Sequence, residues 1–324
     1  MKQLSKLQRA AQHARSRLEA ISSPSDVWAF FVRTLAFTAG RKLRINSLMN
    51  YDAKLTGKFA YRKLSKYYDG EKYDFDGIYL PTVDIWDYGN LSELYCCVKD
   101  VLGVYLHNND NYSWKYVDEL DKKLVEGVYC YTKPEDGCEI IVRKGDVVLD
   151  LGAWIGDFSA YASKKGATVY AFEPMEETLA LLEKTVQYNK GNGGTINIVP
   201  LGVGDENKTI EFYRYKGHDA SSTFSISNAE GSTNITHLKV VKLDDWVAQK
   251  NISIDFIKAD IEGFERNMLL GAANILKIQQ PVLSLCTYHK PDDPEVMKNL
   301  ILSANPNYKV IQRRMKLFAY VPDK

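Results

Sequence analysis

Residues 145–174, GDVVLDLGAWIGDFSAYASKKGATVYAFEP, constrain the fold more than any other stretch of the chain. Val147 to Leu151 is a short continuous apolar run, as a strand buried on both faces requires. Gly152 and Gly156 mark a tight turn, Asp157 to Lys165 has helical length, and Thr168 to Phe172 is a second strand that ends on Glu173. A strand, glycine turn, helix and strand closed by an acid form the nucleotide-binding half of a doubly wound sheet.

The pattern continues downstream. From about Glu126 apolar runs alternate with helix-length segments: Ile196–Val199, Ile254–Ala259 and Val282–Cys286 follow the first two strands. Such alternation implies an α/β fold with a mostly parallel sheet and helices on both faces. Tyr308–Ile311 and Leu317–Val321 read as a closing antiparallel hairpin. Between the third and fourth parallel strands, Thr209–Tyr213 and Leu238–Leu243 are expected to pair around a polar loop, His218 to Thr236. Residues 1–125 differ in character. Leu4, Leu7, Ala11, Ala14 and Leu18 suit a helix, Ser22 to Ser25 break it, Leu91–Val101 reads as helix and Val104–Leu106 as a short strand. The tyrosine-rich stretch 51–88 has no sustained period. The expected division is a mainly helical region 1–125 and a catalytic domain 126–324.

Charge is spread unevenly. The whole chain carries a net +1, which gives no nucleic-acid signature. Residues 1–68 hold 14 Lys/Arg against 3 Asp/Glu, and residues 69–126 hold 5 against 13. Two solvated faces, or one segment packed on the other, explain this most simply. The basic stretch also suits an anionic partner such as a lipid phosphate, a nucleotide sugar or a peripheral membrane face. No run of 18 apolar residues suggests a membrane span. The N-terminus lacks a signal-peptide pattern. The five cysteines have neither zinc-site nor disulfide spacing, so a cytoplasmic setting is expected.

Ligands of open parallel sheets lie beyond the carboxyl ends of the strands. Asp150, Gly152, Ala153, Trp154 and Gly156 close the first strand there. Glu173 and Pro174 close the second, Gly202 follows the third, Asp260 and Glu262 close the fourth, and His289 follows the fifth. Glu173 is placed to accept ribose hydroxyls. A carboxylate at Asp150 beside the turn suits a cationic amino acid and repels a pyrophosphate, which favours S-adenosylmethionine over a dinucleotide. Glu173-Pro174 also suits a helix start, and Asp260 to Gly263 a helix cap with first-turn acids.

VVLDLGAWIGDFS (147–159), YAFEP (170–174), LDDW (243–246) and above all FIKADIEGFE (256–265) resemble the FkbM-type S-adenosylmethionine-dependent methyltransferases, over residues from about 128 to 322. The resemblance implies a class I methyltransferase fold: a Rossmann-like, mostly parallel seven-stranded sheet with a C-terminal antiparallel hairpin. It also implies methyl transfer to oxygen, usually on sugars, glycans or secondary metabolites. Trp154 departs from the family, which commonly has Asn there. The resemblance does not reach residues 1–125, which are left to acceptor binding, homo-oligomer contacts or both.

A sugar hydroxyl is a poor nucleophile until a base takes its proton. His289 is the expected base, because imidazole titrates near neutrality. Asp260 would position the ring or the hydroxyl, and its neighbours Glu262 and Glu265 are expected to raise its pKa by repulsion. No spacing demands a metal. An alternative has Asp260, Glu262 and His289 ligate Mg²⁺ or Mn²⁺. His218 and Ser221 to Thr223 would close over the acceptor or form a solvated loop. Two other functions are weighed: an NAD-dependent sugar oxidoreductase, for which Gly152 to Gly156 lacks the G-x-G-x-x-G turn, and a non-catalytic methyltransferase-like binding module.

Overall fold

A computed structural model describes residues 64–83, 94, 129–133, 138–215, 232–313 and 315–322. The expected helices and strand of residues 1–63 and 95–106, and the insert's tip with His218 and Ser221 to Thr223, lie outside the described residues.

Chain order begins with a small hairpin, β1 (Lys72–Asp74) and β2 (Tyr79–Pro81), then a second, β3 (Tyr131–Lys133) and β4 (Cys138–Ile140). The nucleotide-binding half follows: β5 (Val147–Leu151), α1 (Asp157–Lys164), β6 (Thr168–Phe172), α2 (Glu176–Tyr188) and β7 (Thr195–Val199). The insert contains β8 (Gly202–Gly204), β9 (Lys208–Tyr215) and β10 (Ser232–Lys242). α3 (Leu243–Lys250), β11 (Phe256–Ala259), α4 (Glu265–Gly271), β12 (Val282–Cys286), α5 (Asp293–Ala304), β13 (Lys309–Arg313) and β14 (Lys316–Tyr320) complete the order.

Seven strands form the main sheet in the order β13-β14-β12-β11-β5-β6-β7. All neighbours pair in parallel except β14, which runs antiparallel to both β12 and β13. The chain leaves β5 toward β6 and β7, then returns to the other side of β5 with β11 and β12. That reversal opens a crevice at the carboxyl ends of β5 and β11. The expected class I methyltransferase architecture is therefore present, including the C-terminal hairpin.

Burial follows position in the sheet. β11 is buried at every residue, and β5 and β12 at all but the first, whereas edge strand β7 alternates. Successive side chains of β5 feed opposite cores: Val148 joins Phe158, Tyr161 and Phe256, while Leu149 joins Trp246, Met268 and Leu276. The insert pairs as expected, with Thr209 opposite Lys239 and β8 parallel to β10, making a separate three-stranded sheet.

The first core crosses the expected 125/126 boundary. Leu64, Tyr73, Phe75, Ile78, Leu80 and Val83 pack with Val148, Phe158 and Tyr161. Asn189, just past α2, pins β2 like a strand partner: it accepts the Tyr79 N–H at 3.1 Å and donates to the Tyr79 carbonyl at 2.6 Å. Asn192 and Lys164 donate to the carbonyls of Gly77 and Asp76 in the hairpin turn. Within the stretch that has no readable period, residues 72–81 thus form a β-hairpin lid on α1 and α2.

Candidate active site

The glycine turn is closed by its own hydrogen bonds. The N–H groups of Gly152 and Ala153 both donate to the Phe172 carbonyl, at 3.0 and 2.9 Å, and that of Gly156 to the Ala153 carbonyl at 2.7 Å. Trp154 N–H donates to Glu173 Oε2 at 3.0 Å, and Met175 N–H to Glu173 Oε1 at 2.9 Å. Four turn amides are thus spent inside the protein. A dinucleotide pyrophosphate is bound by amides left open at such a turn, so this turn does not suit one. Pro174 disfavours a helical conformation at Glu173 ahead of α2. Burial pushes the Glu173 carboxyl up to about 7, against the pull of its amide donors. Trp154 sits at φ +49°, in the left-handed region that an Asn enters far more readily than a bulky indole. That is the local reason an Asn would be the easier residue here.

Gly152 has φ +74°, and a Cβ there would fall onto the Asp260 carbonyl oxygen. The turn after β5 and the end of β11 are therefore in backbone contact. Gly202 opens β8 and pairs with Val240 in the insert sheet, so it belongs to a different sheet from the turn.

Asp150 is fully buried and already engaged. Lys258 Nζ lies 2.9 Å from its Oδ1, and Ser159 donates to its Oδ2 at 2.6 Å. The same ammonium donates to the Gly152 carbonyl at 2.7 Å. Burial opposes the Lys258 charge, but Asp150, Asp260 and Asp157 outweigh it and hold its pKa above the ordinary lysine value. Asp150 thus shapes the turn through Lys258 and is enclosed by the protein.

Around the end of β11 the structure gathers Asp260, Glu262, Glu265 and His289. Tyr129 and Tyr288 hydroxyls donate to the two Asp260 oxygens at 2.8 and 2.7 Å. Burial raises the Asp260 pKa, but Lys258, Lys316 and the two tyrosines outweigh it, and the net shift is downward. The expected upward shift by Glu262 and Glu265 is corrected: two lysines brought in by β11 and β14 govern this carboxylate.

His289 lies among carboxylates. Its Nδ1 is 3.2 Å from Glu265 Oε1, and its Nε2 is 3.3 Å from Glu262 Oε2 and 3.9 Å from Asp260 Oδ1. These are ion-pair contacts off the hydrogen-bond line. Burial disfavours the ring's charge, yet Glu262 and Glu265 outweigh it and push its pKa up to about 10. At neutral pH the imidazole carries its proton, so it is a donor. A base role needs the neutral ring, and the expectation from an untuned histidine is corrected on this point.

Glu265 begins α4 and is 1% exposed. Its Oε1 accepts the Ile261 N–H at 2.9 Å, whereas its Oε2 has no hydrogen-bond partner. Glu262 stands at φ +54° and Gly263 at φ +96°, a left-handed pair that folds the chain back toward the His289 Cβ. Asp260, Glu265 and His289 each offer a ligand atom, all within 4.8 Å of one another. The buried acid completing that trio is Glu265, in place of Glu262.

Sequence reasoning missed Lys258, Tyr129, Tyr288 and Lys316, and treated Glu265 only as a neighbour. Lys258 had a signal: a lysine inside an otherwise apolar parallel strand needs a buried partner. Tyr129 has none, since it reaches Asp260 across 131 positions of sequence.

A family model described as the methyltransferase FkbM domain matches residues 150–310. No curated protein matches the chain. Among solved structures the chain is similar to methyltransferase FkbM from Methylobacillus flagellatus KT, at 19% identity and a TM-score of 0.44, over 82% of this chain and 59% of that one. It therefore spans less than two thirds of that protein's length. It is also similar to Aeropyrum pernix fibrillarin in complex with S-adenosyl-L-methionine (11% identity, TM-score 0.36, 56% of this chain and 69% of that one). A third is magnesium protoporphyrin IX methyltransferase from Synechocystis PCC 6803 with bound S-adenosylmethionine (13% identity, TM-score 0.34, 64% and 78% covered). No helix among the described residues is long and apolar enough to cross a membrane. With its motifs, sheet order and family match in agreement, the chain belongs through residues 150–310 to the FkbM family of S-adenosylmethionine-dependent methyltransferases.

Proposed function

We propose that the chain methylates a hydroxyl of a sugar, glycan or related metabolite. The observation that carries this reading is the group of three carboxylates and one protonated imidazole at the tip of β11, in backbone contact with the glycine turn through Gly152. A hydroxyl both donates and accepts hydrogen bonds, so it suits a site that offers acceptors and a donor together.

The residues present suit S-adenosylmethionine. The turn spends its amides internally and so disfavours a phosphate, while Glu173 sets a carboxylate at the adjacent strand end for ribose hydroxyls. Gly152, Ala153, Trp154 and Gly156 would flank the methionine part, with Asp150 holding the turn through Lys258. Pro174 and Gly202 would border the nucleoside. When bound, this cofactor supplies an electrophilic methyl on a sulfonium.

The protein's own part is to orient and deprotonate the acceptor. Asp260, fixed by Tyr129 and Tyr288, orients the hydroxyl. Glu262, the more open carboxylate with a side chain 30% exposed, takes its proton. His289 donates to the oxygen as negative charge grows on it. Residues 1–125 are assigned to acceptor binding or self-association, and a cytoplasmic setting belongs to the same reading.

Calorimetry with S-adenosylhomocysteine and with NAD, followed by methyl transfer from labelled cofactor to a panel of sugar acceptors, tests this. Binding of the first compound alone, with label on an acceptor oxygen, is expected. Binding of NAD alone, or label only on nitrogen or carbon, would overturn it.

A further inference from the structure

We propose that Asp260, Glu265 and His289 hold a divalent cation of the Mn²⁺ or Mg²⁺ class, which displaces the His289 proton, takes over the donor's part given above to the ring, and binds the acceptor through its oxygens. This rests on the hydroxyl-methylating reading and assigns that site's means of gripping its substrate.

Three observations carry it. The ligand atoms of these residues already lie within 4.8 Å of one another, before any ion draws them in. Cis ligands of an octahedral ion stand about 3 Å apart at bond lengths of about 2.1 Å, so the closure needed is small. Second, Glu265 is 1% exposed and its Oε2 has no hydrogen-bond partner. A buried carboxylate oxygen left unmatched is costly, and a cation removes that cost. Third, the His289 side chain is 9% exposed, and its nitrogens face carboxylate oxygens at 3.2–3.9 Å without alignment. One ring nitrogen can ligate the ion while the other keeps its N–H for the carboxylate on its own side.

Donor chemistry selects the ion class. The two carboxylates suit Mn²⁺ and Mg²⁺, and the three residues include no thiolate to favour softer metals. Tyr129 and Tyr288 already bond Asp260, so they would act as the outer groups that orient a ligating carboxylate. Glu262 stays at the rim as proton acceptor. Two oxygens of a vicinal diol are the natural bidentate partner, which narrows the acceptor to sugars or other polyols.

The test is Mn²⁺ binding, read by electron paramagnetic resonance on the full chain with S-adenosylhomocysteine present. One bound Mn²⁺ per chain is expected. Glu265→Gln and His289→Ala should each weaken it at least tenfold while leaving S-adenosylhomocysteine affinity within twofold. Asp260→Asn serves if the buried Glu265 variant does not fold. No bound Mn²⁺ at 1 mM (about the weak end of protein calcium-type sites), or Mn²⁺ bound equally by all variants, overturns the proposal. Methyl transfer that persists at full rate in EDTA overturns it too, yet leaves the methyltransferase reading standing. Loss of S-adenosylhomocysteine binding in the unmodified protein would instead sink that reading.

Discussion

Lys258 Nζ lies 2.9 Å from Asp150 Oδ1 with both side chains sealed from solvent. The pair joins the two central strands at the point where the crevice opens. Removing one partner strands a buried charge, which costs about 3–5 kcal/mol, whereas replacing both with apolar or neutral groups costs far less. Lys258→Met is expected to destabilise by that amount, and Asp150→Asn in the same chain to recover most of it. Urea unfolding of the two variants measures the difference. Equal destabilisation in both would show that the pair is not coupled.

Glu173 gives a pH dependence with a definite sign. Its carboxyl is raised from 4.5 to about 7 by burial, so the folded state holds this proton more tightly than the unfolded chain. Its stability contribution is complete below about 4.5 and is lost as pH rises through about 7. Ribose hydroxyls donate to the ionised form, so S-adenosylhomocysteine affinity should change oppositely. It should strengthen up to about tenfold per pH unit below 7 and level off above it. Glu173→Gln should bind weakly at every pH. Titrations at several pH values decide this, and a flat profile in the unmodified protein removes Glu173 from the ribose.

Gly152→Ala forces a Cβ onto the Asp260 carbonyl at a left-handed φ of +74°. The strain and the overlap together are expected to cost about 3 kcal/mol. Turnover should fall more than cofactor affinity, because the atom displaced belongs to Asp260. A melting curve with paired kcat and KM measurements checks both parts.

Asn189 holds the hairpin lid by two hydrogen bonds to Tyr79 and is 2% exposed. Asn189→Ala leaves a buried N–H and carbonyl unmatched, an expected loss of about 2 kcal/mol. Proteolysis within residues 64–83 should speed up while the sheet stays protected. Unchanged cleavage would mean that the apolar contacts of Phe75 and Leu80 suffice.

What the sequence made legible tracks burial. β5, β11 and β12 are central, so their residues form unbroken apolar runs, and the doubly wound order followed from those runs and the glycine turn. β1 reads Lys-Tyr-Asp, one apolar residue in three, and Asn189, which anchors its partner β2, lies 110 positions from Tyr79. No local pattern contains that information. The site divides likewise. Its acids and His289 stand at strand ends and were readable as positions. Their charge states were not, because Lys316 comes to Asp260 from β14 and Tyr129 from upstream of β4. The neighbours Glu262 and Glu265 suggested one sign, and the folded surroundings impose the other.

Only seven residues make up α4, a rod about 10 Å long. Glu265 at its first turn meets His289, and at its far end Gly271 sits so close to the Gly204 carbonyl that no methyl group could come between. The insert sheet and the carboxylate cluster are thereby mechanically one piece. Grafting an insert from a relative to change acceptor choice would drag Glu265 along, so such chimeras need the segment from Gly202 through His289 exchanged whole.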